Sequence, residues 1–183
     1  MVADFAEMNR YKEYEQVAEK IREHDVALLI LNAGWALMGN FLDLTPKEIE
    51  DTIHTEALHP VYMCKAMVNQ LLARPERSGI LITSSGLARA PMPGFLIHSG
   101  AKSFATYLGV GLNTELKDRI DVIAYEVGQV RTKINLNDNK NDPFTVNPDA
   151  VTKPAIRDLG SRSLTYGCFV HDLQQNIFPA WAI

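Results

Sequence analysis

This sequence predicts an α/β fold with a parallel sheet, on three observations. Short apolar runs recur at residues 26–32 (VALLILN), 80–85 (ILITSS) and 121–127 (DVIAYEV). Each is continuous rather than alternating, as a strand covered on both faces requires. Segments of helical periodicity separate the runs, which makes each connection long enough for a right-handed crossover and the strands parallel.

Taken in order, VADF at 2–5 predicts the end of a further strand, and 9–24 a polar helix with Tyr14, Val17, Ala18 and Ile21 at helical spacing. The run at 26–32 closes in Ala33 and Gly34, a loop signal. Thr45 before Pro46, with Glu48 three residues after the cap, predicts the start of a long helix reaching into the 60s and 70s, with a kink at Pro60. GLARAPMPGF at 86–95 carries two prolines and two glycines and predicts a loop. Helical periodicity returns at 98–117. After the third run, 133–148 is polar and predicts a loop, and 148–160 and 163–175 predict two final helices.

The length of 183 residues suits one domain, and 46% hydrophobic with 22% charged residues is an ordinary globular composition. A net charge of −4 offers no general basic field for a nucleic-acid backbone. Cys64 and Cys168 both fall in segments expected to be helix interior and outside any C-x-x-C or Cys/His cluster, so buried thiols are expected and no metal site. The N-terminal residues lack the character of a secretory signal or transit peptide, which leaves open a presequence already removed. No apolar run approaches the roughly 20 residues of a membrane span. The short apolar end, NIFPAWAI, suits packing on the body, a partner or a membrane surface.

Ligands of parallel α/β sheets bind beyond the carboxyl ends of the strands. That rule singles out Asp4, Asn32 to Gly34, Ser84 with Ser85, and Val127 to Thr132. Ser85 precedes position 98 by thirteen residues, and position 98 precedes Lys102 by four. This spacing is similar to the serine, tyrosine and lysine of short-chain dehydrogenases/reductases. ADF at 3–5 resembles the family's strand end beside the adenine, LNAG at 31–34 its NNAG turn, and VGQVRT at 127–132 its P-G-x-V-x-T segment near the nicotinamide. SSGLARAPMPGF and GCFVHDLQQNIFPAWA resemble the branch of 17β-hydroxysteroid dehydrogenases and very-long-chain 3-oxoacyl-CoA reductases.

The resemblance implies a partial doubly wound, Rossmann-like sheet lacking the first two strands and the Gly-rich loop, since no G-x-x-x-G-x-G occurs in these residues. It implies catalytic positions at Ser85, His98, Lys102 and Glu56, of which two depart from the family. His98 stands at the tyrosine, and Glu56, twenty-four residues beyond Asn32, at the asparagine that holds a proton-relay water. It implies cofactor contacts at Asp4, Asn32, Ala33, Gly34, Lys102, Gly128, Val130 and Thr132, with NADP or NAD as the cofactor. Tight binding is not expected without the backbone N–H groups of a Gly-rich turn.

Residue by residue, plainer roles compete. Asn32 can bridge strands, Gly34 can supply positive φ, Thr132 can cap, Lys102 can be a surface lysine and Glu56 a solvated carboxylate. A lysine one turn from His98 disfavours its imidazolium, and the short ring falls short of a phenol oxygen.

A non-catalytic structural or interaction subunit is therefore expected. The alternative is an NAD(P)-dependent ketosteroid or 3-oxoacyl-CoA reductase completed by another chain. Two partners are expected in turn. One is a polypeptide against the edge of 26–32, unless VADF pairs there directly. The other is a second copy packed through helices 46–73 and 98–117, with Met63, Met67, Leu71, Phe104, Tyr107 and Leu108 as the motivating residues. An intracellular location is expected, which the resemblance narrows to association with the endoplasmic reticulum membrane, or mitochondria if the chain is a subunit of an organelle complex.

Overall fold

Four parallel strands lie in the order β1-β2-β3-β4, and the three long connections between them are helical. The computed structural model describes residues 2–132 and 142–177. Strand β1 is Leu28–Leu31, β2 Ser78–Ser85, β3 Ile120–Val127 and β4 Leu164–Thr165. Leu31 is in register with Ile82, and Ser85 with Val127, so the chemistry-bearing strand ends meet at one edge of the sheet.

Alternation within the apolar runs feeds two cores. Ile80, Ile82, Ile120 and Val122 pack with Tyr14, Met63, Met67 and Leu71 on one face. Leu81, Ile123 and Tyr125 pack on Val151 and Ala155 on the other. Burying each large apolar side chain contributes about 1.5–3 kcal/mol, and because both faces of β2 and β3 are covered, consecutive apolar residues occupy the middle of each strand.

Helix α1 (Tyr11–Lys20) begins where the Glu13 carboxylate accepts the backbone N–H groups of Asn9 and Arg10 at 3.0 and 2.8 Å. Helix α2 (Pro46–Ile53) begins at the Thr45 cap, with Glu48 Oε2 accepting the Thr45 N–H at 2.8 Å. One widened π turn, His54–Leu58, joins α2 to α3 (His59–Ala73). Pro60 sits in the first turn of α3; it has no N–H to continue an α-type ladder, and the wider turn absorbs the mismatch. That turn buries Thr55 and Glu56. Helix α4 (Leu96–Leu116) crosses from β2 to β3, followed by α5 (Pro148–Asp158) and α6 (Phe169–Ile177).

Several expectations need correction. VADF is not a strand and does not pair with β1: residues 5–7 turn, and Ala3 and Phe5 pack into the core, with the Phe5 ring 3.7 Å from His59 between centroids. The helix expected at 163–175 begins only at Phe169. Leu164 and Thr165 pair with Ala124 and Tyr125 instead, and Gly167 at φ +76° breaks the chain before the helix. Cys168 thus precedes the helix, whereas Cys64 is buried, with its thiol pushed up to about 12 by that burial. Met63, Met67 and Leu71 are committed to the core, which removes them from any association face; Phe104 and Tyr107 are exposed. Most of the loop expected at 133–148 and most of NIFPAWAI lie outside the described residues.

His59 is the polar member of this core. Its buried ring packs against both Phe5 and Tyr14, its Nδ1 has no hydrogen-bond partner among the described residues, and burial, with the charge of Lys102 second, lowers its pKa to about 4. A folded-state pKa below the unfolded one means that the folded chain binds fewer protons between about 4 and 6.5. The associated stability, about 3 kcal/mol, is present above pH 6.5 and lost as pH falls toward 4. Buried Glu126, whose pKa is raised by desolvation, works in the opposite direction. Subtracting the denaturation free energies of His59→Leu from those of the native sequence isolates the histidine. The native chain is expected to lose more stability than the variant between about pH 7 and about pH 4.

Candidate active site

A cleft of about 340 Å³ opens beyond the carboxyl ends of β1, β2 and β3. Each wall comes from a strand end or from the helix that follows it. Asn32, Gly34 and Trp35 follow β1, Ser84 and Ser85 end β2, and Val127, Gly128, Val130 and Thr132 end or follow β3. Glu56 enters from the π turn, His98 and Lys102 from α4, and Val151 from α5. A larger groove of about 750 Å³ between α1 and α3 is lined by scattered charges such as Lys12, Glu15 and Lys65, and no strand end reaches it.

The centre of the cleft floor is the Glu56 carboxylate, which has no exposed side-chain surface. His98 Nδ1 lies 2.8 Å from its Oε2, Lys102 Nζ lies 3.6 Å from its Oε1, and the Trp35 backbone N–H donates to the same Oε1 at 3.1 Å. Lys102 also donates to the Thr83 carbonyl at 3.2 Å. Burial lowers the pKa of Lys102, with Glu56 pulling the other way. Neither Glu56 nor Lys102 is a solvated surface charge. The histidine's neighbour is a carboxylate placed between it and the lysine, which changes the local charge from the like-charge pair expected from the helix alone.

Gly34 is required by space rather than by backbone angle, since it is not among the positive-φ glycines. A Cβ there would stand 2.8 Å from Glu56 Oε1 and 3.1 Å from Lys102 Nζ. Asn32 Oδ1 accepts from Thr83 Oγ1 at 2.9 Å, tying β1 to β2. Ser85 Oγ accepts the Leu87 N–H at 3.2 Å, which leaves its own proton available to a ligand. Val130 bridges to Val146, and Thr132 lines the cleft just before the undescribed segment. Asp4 is not brought to the cleft; it is exposed and accepts the Ala6 N–H at 3.1 Å. Ala33 is adjacent but does not line the cavity.

Two residues had no sequence signal as site residues. His171 of α6 is fully buried; its Nδ1 accepts the Gly128 N–H at 3.2 Å, and its Nε2 is 3.2 Å from the Gln129 carbonyl, so α6 holds the turn after β3. Glu126 lies 3.0 Å from Thr106 Oγ1. Ser84 Oγ donates to the Lys102 carbonyl at 2.7 Å, and Thr106 Oγ1 donates to Ser84 at 2.7 Å. The Thr106 hydroxyl is thus shared between Ser84 and Glu126; desolvation raises the Glu126 pKa, and the hydrogen bond from Thr106 opposes that rise. No cluster suited to a metal ion occurs among the described residues, and no helix there is long and apolar enough to cross a membrane.

The short chain dehydrogenase family model matches residues 2–143. The chain belongs to the short-chain dehydrogenase family. Human 17-beta-hydroxysteroid dehydrogenase type 3 is 28% identical over 179 residues, covering 92% of this chain and 56% of its own length. The very-long-chain 3-oxoacyl-CoA reductase of Neurospora crassa is 27% identical over 157 residues, covering 82% and 46%. The chain thus spans about half the length of these curated relatives. A structure of 7beta-hydroxysteroid dehydrogenase superposes with TM-score 0.81 at 17% identity, covering 99% of this chain and 71% of that one. A short-chain dehydrogenase from Sphingobium yanoikuyae in complex with NADPH gives 0.76 at 24%, covering 96% and 73%. These likenesses establish the fold as that of a partial short-chain dehydrogenase domain with its parallel sheet.

The buried charges of this family member are mutually dependent. Glu56→Leu strands the Lys102 ammonium and is expected to cost about 3–5 kcal/mol, whereas adding Lys102→Met should restore much of that loss. A double-mutant cycle by chemical denaturation measures the coupling, and strictly additive losses would show that the two charges do not interact.

Proposed function

We propose that these residues do not reduce carbonyls by themselves, and that the chain serves as a non-reducing member of the hydroxysteroid dehydrogenase and 3-oxoacyl-CoA reductase branch, in a structural or interaction role within a larger assembly. The observation that carries this reading is the 2.8 Å contact between His98 Nδ1 and Glu56 at the position of the family's tyrosine. The ring there is tied to a buried carboxylate and offers no phenol proton to a carbonyl oxygen.

The dinucleotide that the family implies fits only in part. Asn32, Gly34, Gly128, Val130 and Thr132 border the nicotinamide end of the cleft, but Lys102 is engaged with Thr83 and Glu56, and these residues contain no glycine-rich cradle for a pyrophosphate. No step is therefore routed through the cofactor. NADPH oxidation by the purified chain, with a ketosteroid or a 3-oxoacyl thioester as acceptor, is expected to stay at the buffer rate, and His98→Tyr alone is expected not to raise it. Saturable turnover that disappears in Lys102→Ala would overturn the reading.

The assembly role is supported by the side of β1 that pairs with no strand among the described residues, where Leu28 is 38% and Ile30 50% exposed in a strand whose other edge pairs with β2. A polypeptide covering that edge also accommodates the second reading, a reductase completed by another chain. The α4 face bearing Phe104 and Tyr107 offers a second contact, to another copy. Purified alone, the chain is expected to self-associate in light scattering, and Ile30→Glu to shift it toward monomer. A monodisperse, cooperatively melting native monomer would remove the edge from consideration.

A further inference from the structure

The same buried cluster is built for a reaction that needs no hydride. We propose that His98, oriented by Glu56, is a general base that removes a proton from the carbon beside a ketone bound in the cleft. The inference goes beyond the non-reducing reading and fails separately from it, because no nucleotide is a reactant or a product.

Proton inventory supports the assignment. Oε1 of Glu56 takes the Trp35 N–H and faces the Lys102 ammonium, so the group is held as a carboxylate, and the contact on Oε2 is a hydrogen bond donated by His98 Nδ1–H. That tautomer leaves a lone pair on Nε2. Among the described residues Nε2 has no hydrogen-bond partner, it is not sealed from solvent, and His98 lines the cleft. A carboxylate behind an imidazole stabilises the imidazolium formed when a proton arrives, which is the arrangement a base of this kind requires.

The cleft also specifies the class of ligand. Trp35, Val127, Val130 and Val151 make apolar walls, and the Ser85 hydroxyl has its proton free to donate because its oxygen already accepts the Leu87 N–H. An apolar ketone suits both features: its body is buried against the walls and its oxygen accepts from Ser85. In the step, the C–H bond breaks and an Nε2–H bond forms. The C–H electron pair becomes the enolate double bond, and the carbonyl π pair moves onto the oxygen, where Ser85 and the charge of Lys102 hold it. Return of the proton to the same carbon gives exchange, and return to the γ carbon of a β,γ-unsaturated ketone gives the conjugated isomer. No oxidant or reductant is consumed. His98 is the catalytic base, and Glu56 is a positioning residue.

The test uses the whole chain with α-tetralone and a steroid ketone in D2O without nucleotide, following deuterium uptake beside the carbonyl by mass spectrometry. Exchange is expected at least about 100-fold above buffer. It should fall to the buffer rate in His98→Gln and about tenfold in Ser85→Ala, which leaves the ion cluster intact. Glu56→Gln should lower the saturated rate per folded chain, the folded fraction being measured by circular dichroism, while the half-saturating ketone concentration stays constant. Exchange of both ketones at the buffer rate in the native chain overturns the proposal. So does an unchanged rate in His98→Gln or, if that variant does not fold, in Ser85→Ala.

Discussion

A carboxylate without exposed surface is tolerated only when charge and hydrogen bonds answer it from several sides, and Glu56 is answered by a lysine, a histidine and a backbone N–H. Much of the site follows from that requirement. Gly34 has to lack a side chain so that Glu56 and Lys102 can approach each other, and the π turn delivers Glu56 at the depth where α4 can reach it. Lys102 is anchored at its own carbonyl by Ser84 and at its ammonium by Thr83, so β2 positions the cation from both ends. Glu56 and His98 are thus coupled, because the charge of one is hydrogen-bonded by the other.

The sheet supplies the rigid frame for this cluster. Pairing of Ser85 with Val127 and of Leu31 with Ile82 brings three strand ends to one rim, and the two apolar cores hold that rim from both faces. On the far side of the cleft, α6 is tied in through His171, whose ring fills the space that a side chain at position 128 would need. Glycines 34 and 128 are therefore points of close approach, one toward a charge cluster and one toward an imidazole, and neither uses left-handed backbone.

The free side of β1 stands in contrast to this closed interior. Leu28 and Ile30 are partly exposed while Leu31, at the cleft end of the same strand, is buried, so the strand is well packed where it serves the site and open along its length. Phe5 does not extend the sheet; it stacks on His59 and packs against the core below.

Local rules read directly from the chain account for β2, β3, the four residues of β1 within the run 26–32, and the Thr45 cap, because apolar runs and capping are properties of neighbouring residues. The spacing of Ser85, position 98 and Lys102 likewise reflects a strand end and a helix face, and it led to the family. What the sequence could not decide were contacts made across elements. The fate of VADF depended on a ring in α3, the break before α6 depended on two residues pairing with β3, and Met63, Met67 and Leu71 were turned inward by the sheet they face. The ion cluster belongs to the same class. Forty-two residues separate Glu56 from His98, no local pattern links them, and only the packing of the π turn against α4 excludes water and converts two apparent defects into a hydrogen-bonded pair.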